Sequence, residues 1–244
     1  VRGVIGLAPW VNWLTGRLEN WYVPAEDKAA AKPQFLDRTT LPVPMFAASA
    51  LANEATRMLS MAWDYVSCTI GAKSDAPDRR RDLFSLLKAS ESFVDEMSRG
   101  TMDEVTSDRV AALLRVRRYL ENVLELVFET LQLPVDVLQS EALTKIYTNY
   151  RNRIEELMAC YQNPETDSDS LESLSRFEQS YQTLKMALLR SGASGQWRVE
   201  DMERALHRIS SQRRAIQQMV KAQRWLEYAI KLSQSGSQVL PTAP

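Results

Sequence analysis

RVAALLRVRRYLENVLELVFETL, residues Arg109 to Leu131, decides the fold. Val110, Leu113, Leu114, Leu120, Val123, Leu124, Val127 and Leu131 recur every three or four residues. That spacing lays them along one stripe of an α-helix about six turns long. Asp108 stands just before the stretch as its expected N-cap. Pro134 stops it and pushes Leu133 out of the helical region. Glu121 and Glu125 sit one turn apart at the stripe's edge, so they point the same way.

The same periodicity extends in both directions. Met45 to Ala72 reads as a helix rich in Ala and Met, with Leu51, Met58, Met61 or Ala62, and Tyr65 inward. Arg80 to Arg99 is a second, with Leu83, Leu86, Leu87, Phe93, Val94 and Met97 inward and Gly100 at its C′ position. Beyond Pro134 come Val135 to Gln162, Leu171 to Arg190, and Val199 to about Leu232. The stretches between them, 73–79, 101–107, 163–170 and 191–197, are polar or Gly-containing. The expected fold is all-α, a set of tandem three-helix bundles with one unit at 45–132 and the other at 135–233. Helix lengths run long, medium, long in each unit. RVRRYLENVLEL at 115–126 also has a counterpart in SSQRRAIQQMVKA at 210–222.

Composition narrows the function classes. A net charge of −1 gives nothing to recruit nucleic acid. Cys68 and Cys160 lie far apart without metal-type spacing and read as thiols in a reducing compartment. His207 is the only histidine. That excludes a di-iron carboxylate site with two Glu-x-x-His motifs and leaves no hydrolase triad to assemble. The chain begins Val1-Arg2-Gly3 with no initiator methionine, which points to a fragment or a processed product.

The opening, residues 1–23, is apolar and Trp-rich. Val4, Leu7, Val11, Leu14, Leu18 and Trp21 form a stripe, to which Trp10 and Trp13 add indoles. Such a segment suits a membrane–water interface or the end of a membrane region. It equally suits an amphipathic helix packed on the bundle. The uncharged run from Gly3 to Gly16 is shorter than the roughly 20 residues a span needs. Trp10, Trp13, Leu14, Leu18 and Trp21 are the expected membrane or partner contacts. Residues 24–44, with Pro24, Pro33, Pro42 and Pro44, read as an extended linker, and 234–244 as a disordered tail.

One constellation carries metal chemistry. Glu91/Asp95 and Glu121/Glu125 are two carboxylate pairs at i, i+4 spacing on adjacent helices. If those helices pack antiparallel, four carboxylates converge on a hard divalent cation. The alternative is a solvated flank, since such pairs are frequent on helix surfaces.

The layout resembles the PhoU-like domain at the cytoplasmic C-terminus of bacterial sodium/phosphate cotransporters. GVIGLAPWVNWLTGRLENWYVP at 3–24 looks like the end of such a transporter's last membrane segment. FLDRTTLPVPMFAASALANEATRML at 35–59 is similar to the entry into its first cytoplasmic helix, with Asn53-Glu54-Ala55-Thr56-Arg57-Met58 fitting an A-x-x-E-x-x-R-M pattern. The resemblance implies tandem three-helix bundles whose E-x-x-x-D motifs bind metal. Glu91/Asp95 match that motif, and Glu121/Glu125 match it with Glu for Asp. The second unit departs from it, with Glu178 followed by Gln182, and with Gln217 and Lys221 in the last helix.

The function so implied is a non-catalytic regulatory domain of a sodium-dependent phosphate transporter, on the cytoplasmic face of the bacterial inner membrane. Its partners would be the transporter's own membrane domain, the membrane surface and, in a homodimer, a second copy. The competing reading is a free-standing helical adaptor that docks on a membrane or a protein; an enzyme with a carboxylate-bound metal is a third.

Overall fold

The computed structural model describes residues 30–70, 76–133, 136–162 and 167–234. Six long helices account for most of them: α1 (Pro44–Ile70), α2 (Ala76–Met97), α3 (Glu104–Leu131), α4 (Glu141–Gln162), α5 (Asp167–Ala193) and α6 (Val199–Gln234). Two short 3-10 turns, Arg38–Thr40 and Asp136–Gln139, complete the set, and no strand occurs among the described residues. The all-helical expectation holds. The Trp-rich segment with Trp10, Trp13, Leu14, Leu18 and Trp21, the first part of the linker, and the tail from 235 lie outside the described residues.

The decisive stretch is a helix for the reason its stripe suggests. Leu120, Val116 and Val123 are fully buried, and Leu113, Leu124 and Val127 nearly so. Leu114 departs from the expected stripe and is exposed. Several ends differ from the sequence reading: α2 starts at Ala76 rather than Arg80, α5 spans Asp167–Ala193 rather than Leu171–Arg190, and the helix expected from Val135 starts at Glu141 after the 3-10 turn Asp136–Gln139. α3 starts one turn earlier than Asp108, because Asp103 caps it and accepts from the Thr106 backbone N–H at 2.9 Å. α2 ends at Met97, and Gly100 does not take the left-handed backbone of a C′ glycine. Among the described glycines only Gly195 does, with φ 73°, in the turn before α6.

Packing makes a single core fed by every helix. α3 against α6 is the most extensive pairing, followed by α4 with α5, and by α1 with α3 and α2. α6 also touches α1 and α5, so it buries residues around much of its circumference and is the least amphipathic helix. α2 runs antiparallel to α3: Arg80 stacks over the Phe128 ring at 4.1 Å, and Glu91 meets Arg117 further along. α3 and α6 are antiparallel too. Arg115 lies over the Trp225 ring at 4.1 Å, Asn122 meets Gln218 at 3.3 Å, and Arg208 reaches the Thr130 carbonyl at 2.7 Å. Arg208 also donates to the Leu133 carbonyl, so α6 supplies the cation that caps the C-terminus of α3.

Residues 31–37 carry no regular structure and lead into the 3-10 turn Arg38–Thr40, so the expected extended linker holds only in part, and it is not a loose one. They form a strap that runs antiparallel to α1 over the seam between α1 and α2, held along its length by side chains of both helices.

Candidate functional site

The strap contacts form a specific polar arrangement among the described residues. Glu54, on α1, is completely buried. Its Oε2 accepts from the backbone N–H groups of Gln34 and Phe35, both at 2.8 Å. Its Oε1 accepts from Arg57 Nη1 at 2.7 Å, and the same Nη1 donates to the Lys32 carbonyl at 3.0 Å. Asp82 on α2 accepts from the Ala31 N–H at 3.2 Å, and Glu96 on α2 pairs with Arg38 at 2.9 Å. A carboxylate is taken out of water here only because three donors satisfy it. Glu54 and Arg57 belong to the E-x-x-R-M part of the A-x-x-E-x-x-R-M pattern, with Leu51 where its alanine would stand, and on sequence grounds it suggested a resemblance but no task. Their task in this chain is to fasten the strap.

The carboxylate pairs expected to hold a metal are arranged around an arginine. Arg117 Nη2 lies 3.4 Å from Glu91 and 2.9 Å from Glu121, so its guanidinium stands between the two helices where a shared cation would sit. Lys88 contacts the other oxygen of Glu91 at 3.0 Å. The hydrogen bond from Lys88, helped by the charges of Arg117 and Lys88 and opposed by partial burial, holds Glu91 below the usual carboxylate range. Asp95 is exposed, and Glu125 is half-buried. Among the described residues no group of three His, Cys, Asp or Glu side chains is placed to hold a metal ion. Glu91, Asp95, Glu121 and Glu125 therefore do not converge as the spacing suggested. Coulomb repulsion between Glu91 and Glu121 is already relieved by Arg117.

A matching arrangement occurs in the second half. Glu178 on α5 accepts from Arg213 Nε at 2.6 Å and from Gln217 Nε2 at 2.8 Å, both on α6. Arg213 also lies over the Tyr181 ring at 4.9 Å. Arg117 and Arg213, Glu121 and Gln217, and Asn122 and Gln218 are all related by the same 96-residue offset. That offset superposes the Arg-Arg pairs of the two similar stretches noted in the sequence.

His207 is exposed and lines an open groove of about 410 Å³ with Leu133, Glu200, Glu203 and Arg204. Glu200 is paired with Arg198 at 2.8 Å, and Asp201 with Arg204 at 3.0 Å. The groove thus holds one histidine among largely paired charges, with no hydroxyl or thiol side chain among its described lining residues. Cys68 is buried and Cys160 half-buried, and neither forms a disulfide.

No family model, curated protein or solved structure matches the chain. No described helix is long and apolar enough to cross a membrane.

Proposed function

We propose that this chain is a non-catalytic, PhoU-like regulatory domain attached to the membrane part of a sodium-dependent phosphate transporter. It would act on that part through helix contacts. The observation that carries the proposal is the docked strap. A segment tied by Glu54, Asp82 and Glu96 to two core helices transmits a change in the bundle to whatever precedes residue 30, which a free linker would not do. What precedes it is the Trp-rich segment whose composition suits a membrane interface.

The tandem three-helix arrangement belongs to the same proposal. It is supported by the repeated Glu–Arg contacts and by Asn122 touching Gln218, its own counterpart under the 96-residue offset. Self-contact of equivalent residues is what a twofold relation between α3 and α6 produces.

Exposed Phe35, Val43, Met45 and Phe46 line the strap and the first turn of α1. They favour the second reading, an adaptor whose partner lies on this face.

The experiment is uptake of labelled phosphate by membrane vesicles carrying this chain joined to the membrane part that the proposal assigns to it. The proposal expects uptake driven by a sodium gradient and not by an equal potassium gradient. Uptake indifferent to sodium, or none above empty vesicles, overturns it in favour of the adaptor.

A further inference from the structure

Two arginines lie in the core among the described residues, Arg109 and Arg208. Arg208 is answered by the Thr130 and Leu133 carbonyls. Arg109 is not answered in the same way. It is 7% exposed and its Nη1 donates to Ser49 Oγ at 2.9 Å; the Nε of both arginines is without a partner, so the difference is one neutral hydroxyl against two backbone carbonyls. A buried guanidinium met by one hydroxyl is poorly compensated for the water it has lost. Burial accordingly lowers its pKa from the ordinary arginine value.

Its position makes the deficit larger. Arg109 lies in the second turn of α3, and Ser49 in the second turn of α1. α2 is antiparallel to α3, and also to α1. Asp64 meets Arg79 at one end of the α1–α2 pair, and Arg38, just before α1, meets Glu96 at the other. α1 and α3 therefore run parallel and turn their positive dipole ends to the same side, with Arg109 between them. The acids of neighbouring turns are occupied elsewhere. Asp37 accepts from Thr39, Asp103 from Thr106, and Glu96 pairs with Arg38. Glu104 and Asp108 are exposed. One turn before Ser49 and Arg109 stand Met45 and Val105, 56% and 42% exposed, so the rim on that side is apolar.

We propose that Arg109 and Ser49, set between the N-terminal turns of α1 and α3, form a binding site for an oxyanion of the phosphate class. The guanidinium supplies charge and directed N–H groups, and the Ser49 hydroxyl, which accepts from Arg109 and donates to the Met45 carbonyl at 2.9 Å, holds that guanidinium in place. Two sources carry this chemistry: free inorganic phosphate, and a phospholipid headgroup whose chains would lie on Met45 and Val105. The inference rests on the surroundings of Arg109 and does not require the transporter reading, so either can fail alone.

The test uses the full chain, titrated calorimetrically with sodium phosphate against a sodium chloride control of equal ionic strength. A second arm uses dihexanoyl phosphatidic acid below its micelle concentration. Saturable binding of either probe, weakened about tenfold or more in Arg109→Gln, is expected from loss of a charge-assisted hydrogen bond. Phosphate binding identifies the free anion, and binding of the lipid alone identifies the headgroup; both sustain the site. Ser49→Ala keeps the core and should weaken binding several-fold. It decides the matter if Arg109→Gln loses its helical circular dichroism. Absence of saturable binding by both probes overturns the proposal, as does unchanged affinity in Ser49→Ala together with a folded Arg109→Gln.

Discussion

Replacing Glu54 by alanine tests whether the strap is held as described. Three hydrogen bonds to a buried, charged acceptor disappear, two of them from backbone N–H groups of the strap. Bonds to a charged group are worth roughly 1.5–3 kcal/mol each. The full sum is not lost, because the freed amides of Gln34 and Phe35 regain water. Each released residue also recovers backbone entropy of about 1–2 kcal/mol. Arg57 keeps the Lys32 carbonyl only while the strap stays in place. The net loss is therefore about 2–4 kcal/mol, a fall in Tm of roughly 5–15 °C for a domain of this size. Glu54→Gln retains one acceptor oxygen and should cost about half as much. Thermal and urea unfolding by circular dichroism give the stability. Hydrogen exchange at Gln34 and Phe35 gives the locus, since both amides should lose protection in Glu54→Ala while the core amides of α3 keep theirs. A stability change below about 0.5 kcal/mol, with both amides still protected, would refute the role given to Glu54.

Further outcomes follow from the same contacts. Arg208→Ala should cost about 3–4 kcal/mol, because it uncaps the end of α3 and leaves the buried Thr130 carbonyl without its donor; equal urea midpoints for variant and parent would contradict this. Glu121→Gln with Glu125→Gln should move stability by only tenths of a kcal/mol, and should leave any effect of magnesium or manganese on Tm unchanged. A metal-dependent rise in Tm that this double substitution removes would restore the carboxylate metal site. Burial raises the pKa values of Tyr65, Tyr150 and Tyr161. The unfolded chain ionises these groups near pH 10, before the folded one does. Stability should therefore be intact below pH 10 and fall as pH rises past it. Absorbance at 295 nm should show these tyrosines ionising only with unfolding, whereas full tyrosine ionisation in the folded chain would contradict it. At the acid side, hydrogen bonds from Thr39 and Thr106 lower the pKa values of Asp37 and Asp103. Their contribution is complete above about pH 4 and is lost as pH falls further, and Asp103→Ala should flatten that acid limb.

The helices were legible because their stripes repeat over many turns. Leu120, Val123 and Val127 lie where the period puts them. The ends were less so. Two aspartates precede α3, and only the capping geometry selects Asp103 over Asp108, since MDEVT carries too little apolar pattern to announce another turn. Gly100 misled for a related reason: glycine permits a left-handed cap but does not impose one. At the carboxylate pairs, Arg117 stands four residues before Glu121, so that contact was readable from spacing alone. Its simultaneous reach to Glu91 depends on the register of α2 against α3, which no local pattern records. The strap was invisible for the same reason. Pro33, Pro42 and Pro44 announce extended chain, but what binds it is a carboxylate meeting backbone amides 19 and 20 residues away.

The most direct test of the central claim, that the strap couples the bundle to the segment before it, is sodium-driven phosphate uptake by the whole protein carrying Glu54→Ala. On the proposed transporter reading, the variant should reach the membrane in parental amount, yet its uptake should no longer follow the parental dependence on phosphate supply, because the strap is no longer fastened to α1. Uptake identical to the parent's across all phosphate concentrations, with the strap shown by hydrogen exchange to be released, would contradict it.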